Sequence, residues 1–235
     1  MKSLLNFSLA TVCASLMFTG CVTSATSSAG KALFDGQSLA GWHSFKKTSA
    51  PAKGWVVEAD GSLHHLPKGG GGDLISDGAF DNFDLQWDWK IPAGANSGLK
   101  YLVSEDRKSA LGHEYQLIDD AKHADALRGP KWQTGSFYDV LPPRHIPTKP
   151  IGEWNTSRVL IQGNHVEHWL NGEKVLEYEL GSPEVLAEVQ KSKFKTVEKF
   201  GTKFPAHFLL QDHGDEIWFR NIKIRELPSE SSRKN

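Results

Sequence analysis

Cysteine is scarce in this chain of 235 residues, which contains only Cys13 and Cys21. If the first twenty residues are removed during export, as argued below, no disulfide can form within the chain, and stability has to come from an apolar core. An excess of one charge is lacking as well, since 27 lysines and arginines balance 28 acidic residues without any basic block. We therefore expect no nucleic-acid partner.

Several fingerprints of catalysis and cofactor binding are also missing. The chain has no dinucleotide-binding fingerprint, no nucleophile elbow and no compact strand of alternating carboxylates like that of conventional sandwich glycosidases. The glycine run at 69–72 precedes neither a Lys-Ser/Thr pair nor a helix, so we interpret it as a flexible loop. The sequence requires no cofactor, although its ten histidines leave a divalent metal open, for example between Glu114 and either His123 or His213.

The N-terminus has the features of an export signal. Lys2 is the only charged residue before position 31, and the apolar run at 4–18 is too short for a permanent transmembrane helix. The run ends in Phe18-Thr19-Gly20-Cys21, a sequence typical of the lipobox in which bacterial lipoproteins are acylated on cysteine. An ordinary secretory signal with an incidental cysteine is the alternative. Because Val22 is not aspartate, we expect a lipid anchor at Cys21 in the outer membrane, facing the periplasm.

The chain divides into four predicted segments. They are a lipoprotein signal peptide at 1–20, a flexible tether at 21–30, one folded domain at 31–228 and a disordered tail at 229–235. Nearly the whole chain after the signal is therefore available for a single core.

Alternation of apolar and polar residues is the dominant pattern of the folded domain, which indicates half-buried strands. It is clearest from Phe83 to Ile91, and Asn171-Gly172 is typical of a tight hairpin turn. Further strands are predicted at 99–103, 159–161, 166–170, 174–180, 207–211 and 216–227. Ser182 and Pro183 predict the start of one short helix in a loop. We therefore predict an all-β fold, a sandwich of two sheets.

Seven motifs occur in a fixed order between residues 31 and 227. They are Leu33-Phe34-Asp35-Gly36 with Leu39-x-Gly41-Trp42, Asn96-Ser97-Gly98 with Lys100-Tyr101, Glu114-Tyr115-Gln116 with Asp119, Gly152-Glu153-Trp154-Asn155, Trp169-Leu170-Asn171-Gly172, Leu210-Gln211-Asp212-His213-Gly214 and Phe219-Arg220-Asn221-Ile222. Together they resemble the 3-keto-disaccharide hydrolase family, also described as 3-keto-glucoside 1,2-lyase and 3-keto-2-hydroxyglucal hydratase. The resemblance implies a concanavalin A-like jelly roll with a concave sugar-binding face. One departure is Pro205-Ala206-His207, where relatives usually carry glycine before the histidine.

The polar side chains of these motifs can be sorted by strand face. Glu114 and Gln116 are out of phase with the core residues beside them, and so is Lys100. Gln211 also leaves the core phase, and His213 follows it if the strand continues that far. We expect these five side chains on the concave face. The alternative for Glu114 is a strand residue that only contacts solvent.

Arg220 is predicted to share its phase with Trp218, Ile222 and Ile224. A charge inside an apolar stripe needs an anionic or carbonyl partner, because an unpaired buried charge is very costly. That partner could be a substrate, or merely a structural carboxylate. Trp154 likewise could be a core residue rather than a sugar platform.

The resemblance implies that the substrate is a glycoside oxidised at carbon 3, which is cleaved by elimination across carbons 1 and 2 and then hydrated. Glu114 or His213 is the candidate base or acid, and Lys100 or Arg220 is the candidate stabiliser of the enolate. The candidate substrate-binding residues are Asn96, Gln116, Asp119, Trp154, Gln211 and Asp212. Because no NAD fingerprint is present, a separate sugar oxidoreductase has to supply the ketone.

Two other functions remain open on the sequence. A conventional glycosidase would need two carboxylates at a fixed spacing. A glycan-binding lectin on a lipid anchor would need aromatic platforms but no perturbed acid or base.

Overall fold

The described part of this computed structural model, residues 30–229, folds into two antiparallel sheets that pack face to face. Its strands are β1 Lys31–Ala32, β2 Trp42–Ser44, β3 Trp55–Val57, β4 Leu63–His65, β5 Leu74–Ser76, β6 Phe83–Lys90, β7 Asn96–Val103, β8 His113–Ile118, β9 Asn155–Gln162, β10 His165–Leu170, β11 Glu173–Glu179, β12 His207–Leu210 and β13 Ile217–Glu226. Helix α1 spans Pro183–Gln190, and short 3-10 turns lie at Ala126–Arg128 and Pro130–Trp132. The predicted all-β sandwich is confirmed.

The larger sheet has eight strands in the order β11-β10-β9-β6-β13-β4-β3, with β1 beside β13. The smaller sheet has five strands in the order β2-β5-β12-β7-β8. Strands distant in sequence are neighbours in both sheets, as in other sandwiches with long connections.

The core lies between the two sheets and follows from the alternation seen in the sequence. Strand β6 buries every second side chain, including Trp87 and Trp89. Trp87 meets the Tyr115 ring edge-on at 5.1 Å, and the Trp89 indole N–H donates to Ser157 Oγ at 2.8 Å. Both indoles are thus fully packed, and the polar N–H of Trp89 has a partner inside the core.

Local signals in the sequence also place the helix and the hairpin correctly. Ser182 Oγ accepts the Val185 N–H at 3.3 Å, and Pro183 occupies the first turn. Asn171 and Gly172 have φ values of 49° and 89°, which a type I′ turn requires of both residues.

The predicted phase of Arg220 is wrong because strand β13 contains a bulge. Arg220 is paired with Asp88 and Lys223 with Gln86, so β13 has one extra residue between these two pairs. The bulge includes Asn221, whose φ is 53°. Arg220 therefore faces outward from the eight-stranded sheet, while Ile222 on the far side of the bulge faces the core.

The segments predicted as signal peptide, tether and tail lie outside the described residues, apart from Gly30 and Ser229. Cys21 is among them, so its acylation stays a prediction. Within residues 30–229, no helix has the length and apolarity needed to cross a membrane.

Candidate active site

The outer face of the five-stranded sheet is covered over strands β7 and β8, whose residues are buried on both faces. A segment that ends at Tyr138 follows the free edge of β8. In it, the Gly135 N–H donates to the Gln116 carbonyl at 3.0 Å and the Tyr138 N–H to the Glu114 carbonyl at 3.1 Å. Polar side chains on this face therefore lie in a partly enclosed space rather than in open water.

A small polar cavity of about 40 Å³ lies on this face. Its lining residues are Asn96, Glu114, Gln116, Tyr138, Lys193, Gln211 and His213. One ordered water needs roughly 10–15 Å³ of such space, so the cavity admits a few atoms of a ligand rather than a whole sugar ring. Five of the residues predicted for the site meet here.

Glu114 is the carboxylate of this cavity and is only 6% exposed. A Cβ atom at Gly98, whose cross-strand partner is Gln116, would come within 2.5 Å of Glu114 Oε1, so a side chain at position 98 would displace the carboxylate. Burial raises the pKa of Glu114, against the opposing charges of Lys100 and Lys193. No protein donor among residues 30–229 forms a hydrogen bond with its carboxylate. Glu114 is therefore a stronger base than an exposed glutamate and is free to receive a substrate proton.

Three amide side chains surround Glu114, and two of them have an unsatisfied oxygen. Asn96 Oδ1 and Gln211 Oε1 are buried without a hydrogen-bond partner among the described residues. Gln116 Oε1 accepts only the Leu117 N–H, at 3.3 Å. Buried polar atoms without partners are rare in folded proteins and costly. Here they suit a ligand that carries hydroxyl groups.

His213 lies at the mouth of the cavity, where its side chain is 45% exposed. Its Nε2 is 3.5 Å from Asn96 Nδ2, and its Nδ1 is 3.9 Å from Asp215 Oδ2. The Asn96 N–H donates to Asp215 Oδ2 at 2.9 Å and so connects β7 to the loop that carries His213. The histidine can therefore exchange protons both with the cavity and with solvent.

Lys100 is buried on the same face as Glu114 and is its cross-strand neighbour. Its ammonium group donates to the Ala110 carbonyl at 3.3 Å. Lys100 does not line the cavity, but its charge acts on Glu114 and lowers the pKa of that carboxyl. Lys100 is out of phase with the core, as predicted, but the structure does not bring it to the cavity surface.

Asp119 and Asp212 hold loops instead of facing the cavity. Asp119 Oδ2 accepts the Gly94 N–H at 2.7 Å, and its Oδ1 accepts the Ala121 N–H at 3.0 Å. Asp212 accepts backbone N–H groups of Gly72 and Gly214. These bonds hold both carboxylates against backbone groups and neither residue lines the cavity, so their role in substrate binding stays a prediction.

Arg220 and Trp154 lie on the opposite side of the sandwich from Glu114. The guanidinium carbon of Arg220 is 4.0 Å from the Trp154 ring centre, and its Nε is 3.3 Å from Asp88 Oδ2. Of the two partners considered for Arg220, the structure contains the structural carboxylate, which is Asp88. Arg220 cannot stabilise an enolate at Glu114, because the core lies between them.

Tyr138 and Lys193 were missed by the sequence analysis. The Tyr138 hydroxyl donates to Asp125 Oδ2 at 2.5 Å, and the Lys193 ammonium lies 4.2 Å from the Tyr138 ring centre. Lys193 Nζ has no carboxylate within ion-pair distance in the described part of the chain. No pattern in the sequence marks either Tyr138 or Lys193.

A metal could be held at the mouth of the cavity by His123, His213 and Asp215, whose ligand atoms lie within 4.8 Å of one another. His123 Nδ1 accepts the Asp125 N–H at 3.1 Å. An imidazole that accepts at Nδ1 carries its hydrogen on Nε2. His123 would therefore have to give up the contact with Asp125 before either nitrogen could bind a metal.

A second group with metal-ligand character is His165, Glu167 and Glu177 on strands β10 and β11. Lys174 forms ion pairs with both glutamates there. Its ammonium group already supplies the positive charge that a metal would bring.

A larger cleft of about 360 Å³ opens at the end of the sandwich and has mainly apolar walls, including Ile91, Ile118 and Ile151. No histidine lines this cleft, and its one amide side chain is Asn155, whose Oδ1 accepts the Lys149 N–H at 2.8 Å. We place the chemistry at the smaller cavity, because unsatisfied polar groups and a buried carboxylate converge there.

The two sheets and the amide-lined cavity define the class of protein: a β-sandwich that acts on sugars, in which a few polar groups orient the ligand. The chain belongs to the family described as the 3-keto-alpha-glucoside-1,2-lyase-like domain, whose model matches residues 30–225. Family membership makes this chain an enzyme that acts on glycosides.

Relatives of known name agree with this assignment. The chain is 35% identical to a 3-keto-disaccharide hydrolase from Bacteroides thetaiotaomicron over 226 residues, which cover 83% of this chain and 77% of that protein. A crystal structure from Parabacteroides distasonis, provisionally assigned as a glycosyl hydrolase, is 34% identical with a TM-score of 0.76 and covers 85% of this chain and 94% of its own. A second from the same organism, with the same provisional assignment, is 29% identical with a TM-score of 0.60, and covers 74% of this chain and 90% of its own.

Proposed function

We propose that this enzyme cleaves 3-keto-glycosides by elimination followed by hydration. Support comes from the family's description, from the name of the relative in Bacteroides thetaiotaomicron and from the residues of the cavity. The observation that carries the proposal is Glu114, a buried carboxylate with a raised pKa that accepts no hydrogen bond from residues 30–229 and is surrounded by amides.

The chemistry begins at the hydrogen on carbon 2, which the ketone at carbon 3 makes acidic. Glu114 takes this proton, and the electron pair of the C2–H bond forms the enolate of carbons 2 and 3. Collapse of the enolate forms the C1=C2 double bond and breaks the bond from carbon 1 to the aglycone oxygen. That oxygen takes a proton from an acid, for which half-exposed His213 is the candidate. Base and acid groups of this kind contribute roughly 10²- to 10⁴-fold each to a rate.

Hydration returns the atoms of water to the unsaturated sugar. The water oxygen bonds to carbon 1 and a proton returns to carbon 2, so the sum of both steps is hydrolysis. The proton that Glu114 takes exchanges with water while the aglycone leaves, so Glu114 returns a solvent-derived proton to carbon 2. No oxidant or reductant is consumed, because the ketone is present at the start and at the end.

The developing negative charge on the carbon-3 oxygen needs a donor or a cation. Lys193 lines the cavity and Lys100 lies beneath it, so these two lysines take the role that the sequence analysis divided between Lys100 and Arg220. Asn96, Gln116 and Gln211 offer the amide groups that orient the sugar hydroxyls.

A conventional glycosidase mechanism fits this cavity less well. It requires two carboxylates, whereas Glu114 is the only carboxylate among the seven residues that line the cavity. A lectin could also use the unpaired amides, since these groups bind hydroxyls whether or not a reaction follows. Turnover is the property that separates the lectin from the enzyme.

The proposal is tested by cleaving a 3-keto-disaccharide in heavy water. Elimination breaks the C2–H bond, so the released 3-keto sugar should carry deuterium at carbon 2 when it is analysed by mass spectrometry and NMR. A route through an oxocarbenium ion leaves that position unlabelled. The product sugar alone, incubated in the same buffer, controls for spontaneous exchange beside the ketone. Unlabelled product from active enzyme would rule out elimination, and cleavage of the unoxidised disaccharide at an equal rate would rule out the substrate class.

We further propose that the enzyme works at the outer membrane, anchored through Cys21 and facing the periplasm, with a separate sugar oxidoreductase upstream. The motivation is the lipobox at 18–21 and the lack of a dinucleotide fingerprint. The native protein should enter the detergent phase with the membrane fraction, whereas the Cys21→Ser variant should be released or misprocessed. A wild-type protein that is wholly soluble, with an unmodified N-terminus other than Cys21, would contradict the anchor.

A further inference from the structure

His65 at the end of strand β4 is completely buried, and none of the seven motifs includes it. Its Nδ1 lies 2.8 Å from the backbone carbonyl of Asp215, to which it must donate because a carbonyl only accepts. Its Nε2 lies 3.0 Å from Asp212 Oδ1. This second contact has ion-pair distance but a geometry too bent for a good hydrogen bond. One imidazole therefore touches the residues on both sides of His213.

The glycine run at 69–72 completes this arrangement. The Gly72 N–H donates to Asp212 Oδ2 at 2.8 Å, while the Gly72 carbonyl accepts the Trp55 indole N–H at 2.8 Å. Trp55 in turn meets the His65 ring edge-on, with ring centres 4.7 Å apart. The same loop is held at its other end, because the Lys68 N–H donates to the Gly214 carbonyl at 2.8 Å.

Close backbone packing explains why glycines occur in this run. A Cβ on Gly71 would come within 2.3 Å of the Lys53 carbonyl oxygen, and a Cβ on Gly69 within 2.5 Å of the Gly54 Cα. Distances this short exclude any side chain. Residues 69–72 form a loop, as predicted, and its glycines let two stretches of backbone touch, which places the Gly72 N–H against Asp212.

We propose that His65 is a positioning residue that holds the 211–215 loop through Asp212 and Asp215 and thereby fixes His213 beside Asn96. The kinetic part of this inference rests on the proposed function, whereas the structural part does not. His213 itself makes only long contacts, 3.5 Å to Asn96 and 3.9 Å to Asp215. Its position therefore depends on how firmly Asp212 and Asp215 are held.

Two conservative variants separate the contacts of His65. In His65→Asn, the side-chain amide can replace Nδ1 as the donor to the Asp215 carbonyl but cannot reach Asp212. In His65→Gln, the amide can replace Nε2 beside Asp212 but loses the Asp215 carbonyl. The matched controls are the same substitutions at His64, the adjacent histidine, which contacts Glu58 and Glu216 on the outer face of the eight-stranded sheet.

The first measurement is amide hydrogen exchange, which needs no turnover. In at least one His65 variant, the Gly72 and Gly214 amides should exchange about tenfold faster than in wild type, while amides of β6 keep their rates. The His64 variants should leave the Gly72 and Gly214 rates within about twofold. Unchanged exchange at both glycines in both His65 variants would overturn the proposal. If both His65 variants fail to fold, NMR of the wild-type protein decides: a slowly exchanging proton on His65 Nδ1 supports the clamp, and a rapidly exchanging one overturns it.

The second measurement is turnover of a 3-keto-disaccharide. A loss of positioning should lower kcat by about tenfold and change KM by less than about threefold, because the sugar still meets the cavity amides. The variant that keeps the more important contact should retain more activity than the other. A fall in both kcat and thermal stability that is equal in the His64 and His65 variants would mean a merely structural role. If wild type turns over no 3-keto-glycoside, the proposed function fails, while hydrogen exchange still decides the role of His65.

Discussion

Glu114 and Asp84 are two largely buried carboxylates on the outer faces of the two sheets, and their surroundings differ in kind. Asp84 accepts hydrogen bonds from Arg158 at 2.5 Å and from Arg225 at 2.7 Å. Although burial alone would raise it, these bonds lower the pKa of Asp84. Glu114 has no such partner among residues 30–229, and burial raises its pKa. Of the two carboxylates, only Glu114 therefore combines burial with the lack of a protein donor in this part of the chain.

Aromatic residues follow the same division. On the eight-stranded sheet the Lys90 ammonium lies 4.5 Å from the Trp218 ring centre and 5.0 Å from that of Trp154. Trp218 is also stacked on His64, and Trp154 on Arg220. Both indoles thus contact protein groups, whereas the cavity on the other sheet contains amide oxygens with no partner among residues 30–229. The contacts of the two indoles stabilise the fold.

The largest expected effect is on stability, and it comes from the buried histidines of the two sheets. Burial lowers the pKa of His113 to about 3 and that of His168 to about 4, and neither faces a carboxylate. By contrast, Glu179 and Glu167 raise the pKa of His165 on the eight-stranded sheet, although burial opposes them. The first two histidines stay neutral in the folded state at mildly acidic pH, whereas the unfolded chain takes up protons there.

We therefore expect stability to fall as pH decreases below the unfolded histidine pKa of 6.5 and to keep falling towards the folded values. At about pH 5 each of the two histidines should cost roughly 2 kcal/mol, since the distance from 6.5 is about 1.5 units at about 1.4 kcal/mol each. Urea unfolding followed by tryptophan fluorescence measures this loss. Between about pH 7 and pH 5, the His168→Gln variant should lose roughly 2 kcal/mol less stability than wild type, because the glutamine takes up no proton in the unfolded chain. An equal loss in the variant and in wild type would contradict the assigned burial effect.

The second expected effect is on activity, where the two carboxylates should respond in opposite ways. Glu114→Gln keeps the shape of the side chain and should lower the rate by about 100-fold or more if Glu114 is the base. Asp84→Asn is the matched control: it should lower stability by about 1–3 kcal/mol and leave the rate within about threefold. Steady-state kinetics and thermal unfolding of both variants separate the two effects.

The pH dependence of the rate gives an independent check on Glu114. Its raised pKa places the acidic limb of the wild-type profile above the usual value of 4.5, and this limb should disappear in Glu114→Gln. An unchanged rate and an unchanged profile would remove Glu114 from the mechanism. An inactive but unfolded Glu114→Gln protein would show a collapsed thermal transition, which the unfolding measurement detects.

Local patterns predicted much of the fold, because each depends on residues close in sequence. The alternation of β6, the Asn171-Gly172 turn and the Ser182 cap were all correct. Alternation also brought Glu114 and Gln116 to the right face. In each of these cases the residues that interact are only a few positions apart, so the pattern can be recognised in a single sequence.

The failures came from features that act over longer distances. The bulge at Asn221 shifts the phase of β13 by one residue, and no pattern before it announces this shift. Lys193 reaches the cavity from the segment after α1, so only the packing of that segment brings it near Glu114. His65 meets Asp212 across 147 positions of the chain, counted from their residue numbers. Sheet pairing and loop packing decide such contacts, and these long-range contacts cannot be predicted from one sequence alone.

Arg220→Ala has the smallest expected effect and tests the corrected placement directly. The guanidinium is 40% exposed, pairs with Asp88 and lies over Trp154, so its loss should cost about 1–2 kcal/mol through packing and one charged hydrogen bond. Activity on the 3-keto-glycoside should stay within about threefold, because the core separates Arg220 from Glu114. Arg220→Lys should recover only part of the stability, since an ammonium lacks the planar face that stacks on the indole. A large loss of kcat in a stably folded Arg220→Ala protein would contradict the division of the two faces and return Arg220 to the enolate.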